Sequence, residues 1–161
     1  MKAPIVHYAP TPRRLIKPML DILNLSPEDV VFDLGCGDAR LLIEAARRYG
    51  SRCVGIEIRS WLVKIARRRV LRSGVADKVD LIRADFFRVN LSHATAIILY
   101  LSTKVNEALK EKFDAELKEG TRIISLDFPI PGWIPDKVEA VHDGLRERKL
   151  YLYVFKKKRK I

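Results

Sequence analysis

The feature that most constrains this chain is an alternation. Short apolar runs are each followed by a stretch with apolar residues at helical spacing. Asp29–Leu34 (DVVFDL), Arg52–Ile58 (RCVGIEI), Lys78–Ala84 (KVDLIRA), Thr95–Leu101 (TAIILYL) and Thr121–Asp127 (TRIISLD) read as five strands. Asp38–Tyr49 reads as a helix stopped by Gly50, Ser60–Ser73 as one with Ser60 as N-cap and Gly74 as stop, and Thr103–Lys118 as one closed by Gly120. Strands alternating with helices wind into a parallel sheet covered on both faces. The pattern then changes. Pro129, Pro131, Gly132 and Pro135 mark a loop, followed by strands Val138–His142 and Leu150–Phe155. The seven residues Asp143–Lys149 between them are too few for a crossover helix, so these strands pair as an antiparallel hairpin. Ahead of the first strand, Arg13–Leu23 reads as a helix. The expectation is an α/β, Rossmann-like, seven-stranded sheet with helices on both faces. At 161 residues there is room for one domain, with a lid and helix over 1–24 and a core over 25–161.

Composition excludes several classes. No apolar run approaches the ~18 residues of a membrane span, and the first residues lack a continuous hydrophobic stretch with a cleavage site. Two cysteines, Cys36 and Cys53, make no disulfide framework and no zinc site, and they fit a reducing, cytoplasmic compartment. The net charge is +11, with five cations in Lys156–Lys160, which favours acidic partners and allows weak nucleic-acid contact through the tail. Glutamine is absent and asparagine occurs three times, so part of the charge reads as adaptation to heat.

The chemistry-bearing signal is Asp33-Leu34-Gly35-Cys36-Gly37-Asp38, directly after the first strand. Its glycines permit a tight turn and close approach of a ligand. A dinucleotide fingerprint has a third glycine where this chain has Leu41, and Asp33 would repel a pyrophosphate. A carboxylate there suits a cation, and S-adenosylmethionine (SAM) carries an ammonium and a sulfonium. Glu57, at the end of the second strand with Ile58 beside it, stands where an acid accepts from ribose hydroxyls. Asp85 ends the third strand and is followed by Phe86, an acid and an aromatic ring for an adenine. The expected cofactor site is Asp33, Gly35, Cys36, Gly37, Glu57, Ile58, Asp85, Phe86 and Leu101. Parallel strands closed by an antiparallel hairpin match the class I methyltransferase fold, which agrees with that site.

The fourth strand ends in Leu99-Tyr100-Leu101-Ser102-Thr103, so Tyr100 faces the expected acceptor pocket. The Asn/Asp/Ser-Pro-Pro-aromatic turn of enzymes that methylate base amino groups is absent, and neither cysteine stands where a nucleophile is needed. The chain resembles the small archaeal broad-specificity protein lysine methyltransferases and their mitochondrial relatives acting on the adenine nucleotide translocase and the ATP synthase c-subunit. The resemblance covers nearly the whole chain. It rests on His7-Tyr8-Ala9-Pro10-Thr11-Pro12, the Asp33 loop with Arg40, Asp85-Phe86-Phe87, Leu101–Glu107, Phe128–Trp133 and Leu150–Val154. Ala39 departs from it, standing where relatives carry glycine.

The resemblance implies a lid at Tyr8–Pro12 over SAM and a lysine channel, with catalytic positions at Tyr8, Tyr100 and Trp133. Thr11 either bonds the methionine carboxylate or caps the following helix. Trp133 either walls the channel or seals the core edge. The implied reaction is direct displacement of the SAM methyl by a lysine amine of a protein, DNA-binding proteins among the partners, with no metal. The alternatives are an RNA methyltransferase, which the charge favours, or a small-molecule methyltransferase.

Overall fold

The computed structural model describes residues 6–158. The chain runs α1 (Arg13–Leu23), β1 (Val30–Leu34), α2 (Arg40–Tyr49), β2 (Arg52–Glu57), α3 (Ser60–Arg72), β3 (Val79–Arg83), β4 (Ala96–Leu99), α4 (Thr103–Glu116), β5 (Arg122–Leu126), β6 (Lys137–His142) and β7 (Glu147–Val154), with one 3-10 turn at Phe86–Arg88. The seven strands form one sheet in the order β3-β2-β1-β4-β5-β7-β6. Six run in one direction, and β7 alone is reversed, antiparallel to both β5 and β6.

Alternation along each central strand builds two cores. In β1, Val31 faces one way and Phe32 and Leu34 the other; in β4, Ala96 and Ile98 oppose Ile97 and Leu99. The first set packs under α1, α2 and α3 through residues such as Met19, Leu42 and Ala66. The second packs under α4 through Val105, Leu109 and Phe113. Strands buried on both faces need continuous apolar runs, which is why β1 and β4 were legible.

Several boundaries differ from expectation. Strand β7 begins at Glu147 rather than Leu150, because its charged start is satisfied: Arg148, only 5% exposed, pairs with Asp127 and Asp143. Helix α2 begins at Arg40, after Ala39 takes a left-handed φ of 67°. Ser60 is the first residue of α3 rather than its cap; the Arg59 N–H is met by Glu57. Thr11 does not cap α1, whose N-cap is Pro12 with no side-chain hydrogen bond.

Candidate active site

The sheet order reverses between β1 and β4, and the carboxyl ends of these strands open a crevice of the kind that binds ligands in α/β sheets. The loop after β1 turns through Gly35 and Gly37, at φ 81° and 57°. A Cβ on Gly37 would lie 2.9 Å from the Tyr8 ring, so the segment before α1 packs directly on this loop. Tyr8 also meets Trp61 edge-on, with centroids 5.8 Å apart. Arg59 donates to the Val6 carbonyl, and Arg40 Nη1 donates to the Thr11 carbonyl at 3.0 Å. These contacts lay the N-terminal segment over the β1 loop, at the position expected of the lid.

Two adjoining cavities lie beneath it. The larger, about 260 Å³, is walled by the lid residues Val6–Ala9, by Gly35, Glu57 and Ile58, by Asp85 and Phe86, and by Tyr100 and Leu101. The smaller, about 30 Å³, reaches Thr11, Asp33, Cys36 and Gly37, and shares Tyr8, Ala9, Gly35 and Tyr100 with the first. Every expected cofactor residue therefore lines one of the two cavities, as do Tyr8 and Tyr100. Trp133 does not. It packs against Phe113, Tyr153 and Phe155 with ring centroids about 6 Å apart, on the apolar layer under α4. The catalytic position expected for Trp133 is thus corrected: of its two readings, the structure gives the seal of the core edge.

The acids differ sharply in how they are satisfied. Asp33 is 5% exposed, and no ion pair reaches it among the described residues. Burial, with Glu57 and Asp38 nearby, pushes its carboxyl up to about 8. Asp38 is also part-buried, but the Arg40 fork, at 2.7 Å, and Arg69 hold it below the usual carboxylate range. Glu57, 2% exposed, accepts from the Gly37 and Arg59 N–H groups at 3.2 and 2.9 Å. Asp85 accepts from Phe87 N at 3.0 Å and so closes the 3-10 turn that presents Phe86 to the cavity. An unpartnered buried carboxylate in a pocket is costly unless a cation joins it, and that is the chemistry of the methionine ammonium of SAM.

The cysteines are inert packing groups. Burial pushes the Cys36 thiol far up, and the Cys53 thiol up to about 12. Sequence reasoning missed one buried charge. Arg148 Nη2 donates to Tyr100 Oη at 2.8 Å while pairing with Asp127 at 2.5 Å and Asp143 at 2.8 Å. It anchors the phenol that lines both cavities. An arginine inside a charged hairpin run gave no signal of this in the sequence.

A seven-stranded Rossmann-like sheet with an antiparallel β7, a glycine loop after β1 and acids at three successive strand ends defines a class I SAM-dependent methyltransferase. The profile of the family described as "ANTKMT methyltransferase domain" matches residues 33–137, and the chain belongs to that family. It is 41% identical over 152 residues to a protein-lysine N-methyltransferase of Saccharolobus islandicus (strain REY15A), covering 94% of each chain. It is 35% identical over 140 residues to the mouse adenine nucleotide translocase lysine N-methyltransferase, covering 86% of this chain but 59% of that protein. Among solved structures it is similar to one titled as an RNA methyltransferase from Salinibacter ruber in complex with S-adenosyl-L-homocysteine, with a TM-score of 0.88, 37% identity, and coverage of 94% and 97%.

Proposed function

We propose that this protein transfers methyl groups from SAM to lysine side-chain amines of other proteins. The observation that carries this reading is the wall at the end of β4. There Tyr100 and Tyr8 stand beside Leu101 and Phe86, with neither a thiolate nor a Pro-Pro-aromatic turn. Bound SAM supplies an electrophilic methyl on a sulfonium. Asp33 takes the methionine ammonium, Glu57 the ribose hydroxyls, Asp85 and Phe86 the adenine edge and face, and Ile58 packs beside the nucleoside. Thr11, in the smaller cavity, faces the methionine end.

Free lysine has a pKa near 10.4, so the neutral amine has to be favoured locally. A desolvated channel beside a cationic sulfonium does this, since a second positive charge is disfavoured there. Tyr8 and Tyr100 line the amine's path with phenol oxygens. Arg148 donates to the Tyr100 oxygen and leaves that group's own proton or remaining lone pair for the substrate. Alignment of nitrogen, methyl and sulfur supplies the main acceleration, on the order of several kcal/mol. Two buried cysteines without a disulfide support a cytoplasmic setting, and the charged, amide-poor composition supports a thermophilic one.

The likeness to the Salinibacter RNA methyltransferase and the +11 charge favour RNA as a second acceptor class. The test pairs the purified enzyme and labelled SAM with a lysine-rich protein, with the same protein after its amines are blocked, and with total RNA. Methyl-lysine formed only on the unblocked protein is expected. Label on RNA and none on protein would overturn the reading.

A further inference from the structure

A second concavity lies on the α1–α3 face. It encloses about 470 Å³, more than the cofactor cleft. Helix α1 contributes Arg13 and Lys17 to it, and α3 contributes Arg69 and Arg72. Helix α2 contributes Arg40, Arg47 and Arg48, over a floor of Ile16 and Ile43. The carboxylates serving these cations are few. Arg40 and Arg69 share Asp38 at 2.7 and 3.4 Å, Arg47 and Arg48 share Glu44 at 3.3 and 3.0 Å, and Lys17 pairs with Asp21 at 2.5 Å. Arg13 and Arg72 have no carboxylate partner among the described residues. Five cations share three carboxylates and two have none, which leaves the trough with four uncompensated positive charges.

We propose that this trough docks the sugar–phosphate backbone of a nucleic acid strand. The cations stand on three helices, so one small anion cannot engage them together, whereas a strand carries a charge at every nucleotide. Six of the seven are arginines, whose planar forks bond phosphate oxygens in pairs. No aromatic side chain lines the trough, so there is nothing for a base to stack on, and the contact is to phosphates without sequence preference. Arg40 belongs both to the trough and to the lid contact at Thr11, so a docked strand runs beside the cofactor cleft. This site is distinct from the basic C-terminal run, of which residues 156–158 are described and exposed and the rest lie outside the described residues. The proposal holds whatever the methyl acceptor is.

The test is fluorescence anisotropy of a fluorescein-labelled 20-nucleotide single strand with the whole enzyme, over about 50 to 200 mM salt. Four engaged phosphates predict a slope of log K against log salt near −3, at about 0.7 per contact. The double variant Arg13→Glu/Arg72→Gln breaks no ion pair. It is expected to weaken binding at least tenfold and flatten the slope by about 1.4. The Tm shift on adding S-adenosylhomocysteine should stay unchanged, which reports an intact fold. The variant Lys156→Ala/Lys157→Ala/Lys158→Ala is expected to change affinity less. Unchanged affinity in the Arg13/Arg72 variant, or loss confined to the tail variant, would overturn the proposal. Polyglutamate displacing the strand equally well per charge would also overturn it and assign the trough to an acidic protein.

Discussion

Asp29, immediately before β1, and Asp33, within it, lie four residues apart, and their surroundings drive them in opposite directions. Asp29 is buried just ahead of β1, which alone would raise its pKa. Its bonds from Thr95, Ser26 N and Arg122 more than offset this, and it lies below the usual carboxylate range. Asp33, near the other end, has no such partners and sits at about 8. The first acid fastens the fold; the second is held ready for a ligand. The sign of its pH effect follows. Between the ordinary carboxylate pKa and about 8, folded ligand-free protein holds a proton on Asp33 that the unfolded chain does not, so this group lowers stability as pH rises through that window. We predict that Asp33→Asn raises the Tm of the ligand-free protein, by an amount that widens from pH 5 to about pH 8 and is constant above it. S-adenosylhomocysteine should cease to shift the Tm of that variant. A Tm difference independent of pH would show that Asp33 is already ionised in the free protein. Ala39 is a second residue-scale case. It is fully buried at a φ of 67°, where glycine is at ease. Relief of strain and loss of a buried methyl nearly cancel, so Ala39→Gly should be neutral within about 1 kcal/mol in chemical denaturation. Ala39→Val, branched and overpacked, should cost about 3 kcal/mol.

At the scale of elements, two glycines separate function from packing. The atoms nearest a Cβ on Gly37 all belong to the Tyr8 ring, the first at 2.9 Å, and the φ of 57° adds a modest backbone strain. A Cβ on Gly55 in β2 meets Leu42 and Leu81 at 2.8 and 2.9 Å, which pack together beside the sheet, and Cys36 Sγ at 2.7 Å, on the loop that lines the smaller cavity. Gly37→Ala is therefore expected to displace the lid and weaken SAM binding tenfold or more in calorimetric titration, with a smaller loss of Tm. Gly55→Ala should do the reverse, destabilising by about 1–3 kcal/mol with a smaller loss of SAM affinity, passed on through Cys36. Equal effects on both properties in both variants would contradict this division. The sequence made Gly37 legible because it sits in a loop motif between a strand and a helix. It hid Gly55, whose constraint comes from side chains of α2 and β3 that are distant in the chain. The same reason hid the first residues of β7 and the role of Arg148: a charged run reads as loop until its partners Asp127, Asp143 and Tyr100 are brought together. Strands β1 and β4 were plain because burial on both faces needs only local apolar runs. Trp133 stayed ambiguous in the sequence because an aromatic in a Pro-rich loop serves a channel or a core equally well, and only the packing against Phe113, Tyr153 and Phe155 decides.

Across the whole molecule, the sheet divides two surfaces of different character. The carboxyl ends of β1–β4 gather acids under the N-terminal segment, the surroundings we propose for a cationic cofactor. The α1–α3 face gathers cations in an open trough. At physiological ionic strength the screening length is about 8 Å, so the basic surface acts on partners at contact rather than at a distance. Among the described residues no helix is long and apolar enough to cross a membrane, and no group of three His, Cys, Asp or Glu side chains is placed to hold a metal ion. The central claim is that the Asp33 pocket delivers the methyl of SAM to protein lysines. Its most direct test is incubation of a cell extract from the source organism with methyl-labelled SAM and either the wild type or Asp33→Asn, each sample then split for protease and for nuclease treatment. The account predicts label in the wild-type sample that survives nuclease, is lost to protease, hydrolyses to methyl-lysine, and is absent with Asp33→Asn. Label that follows nuclease instead, or that persists in full with Asp33→Asn, would contradict it.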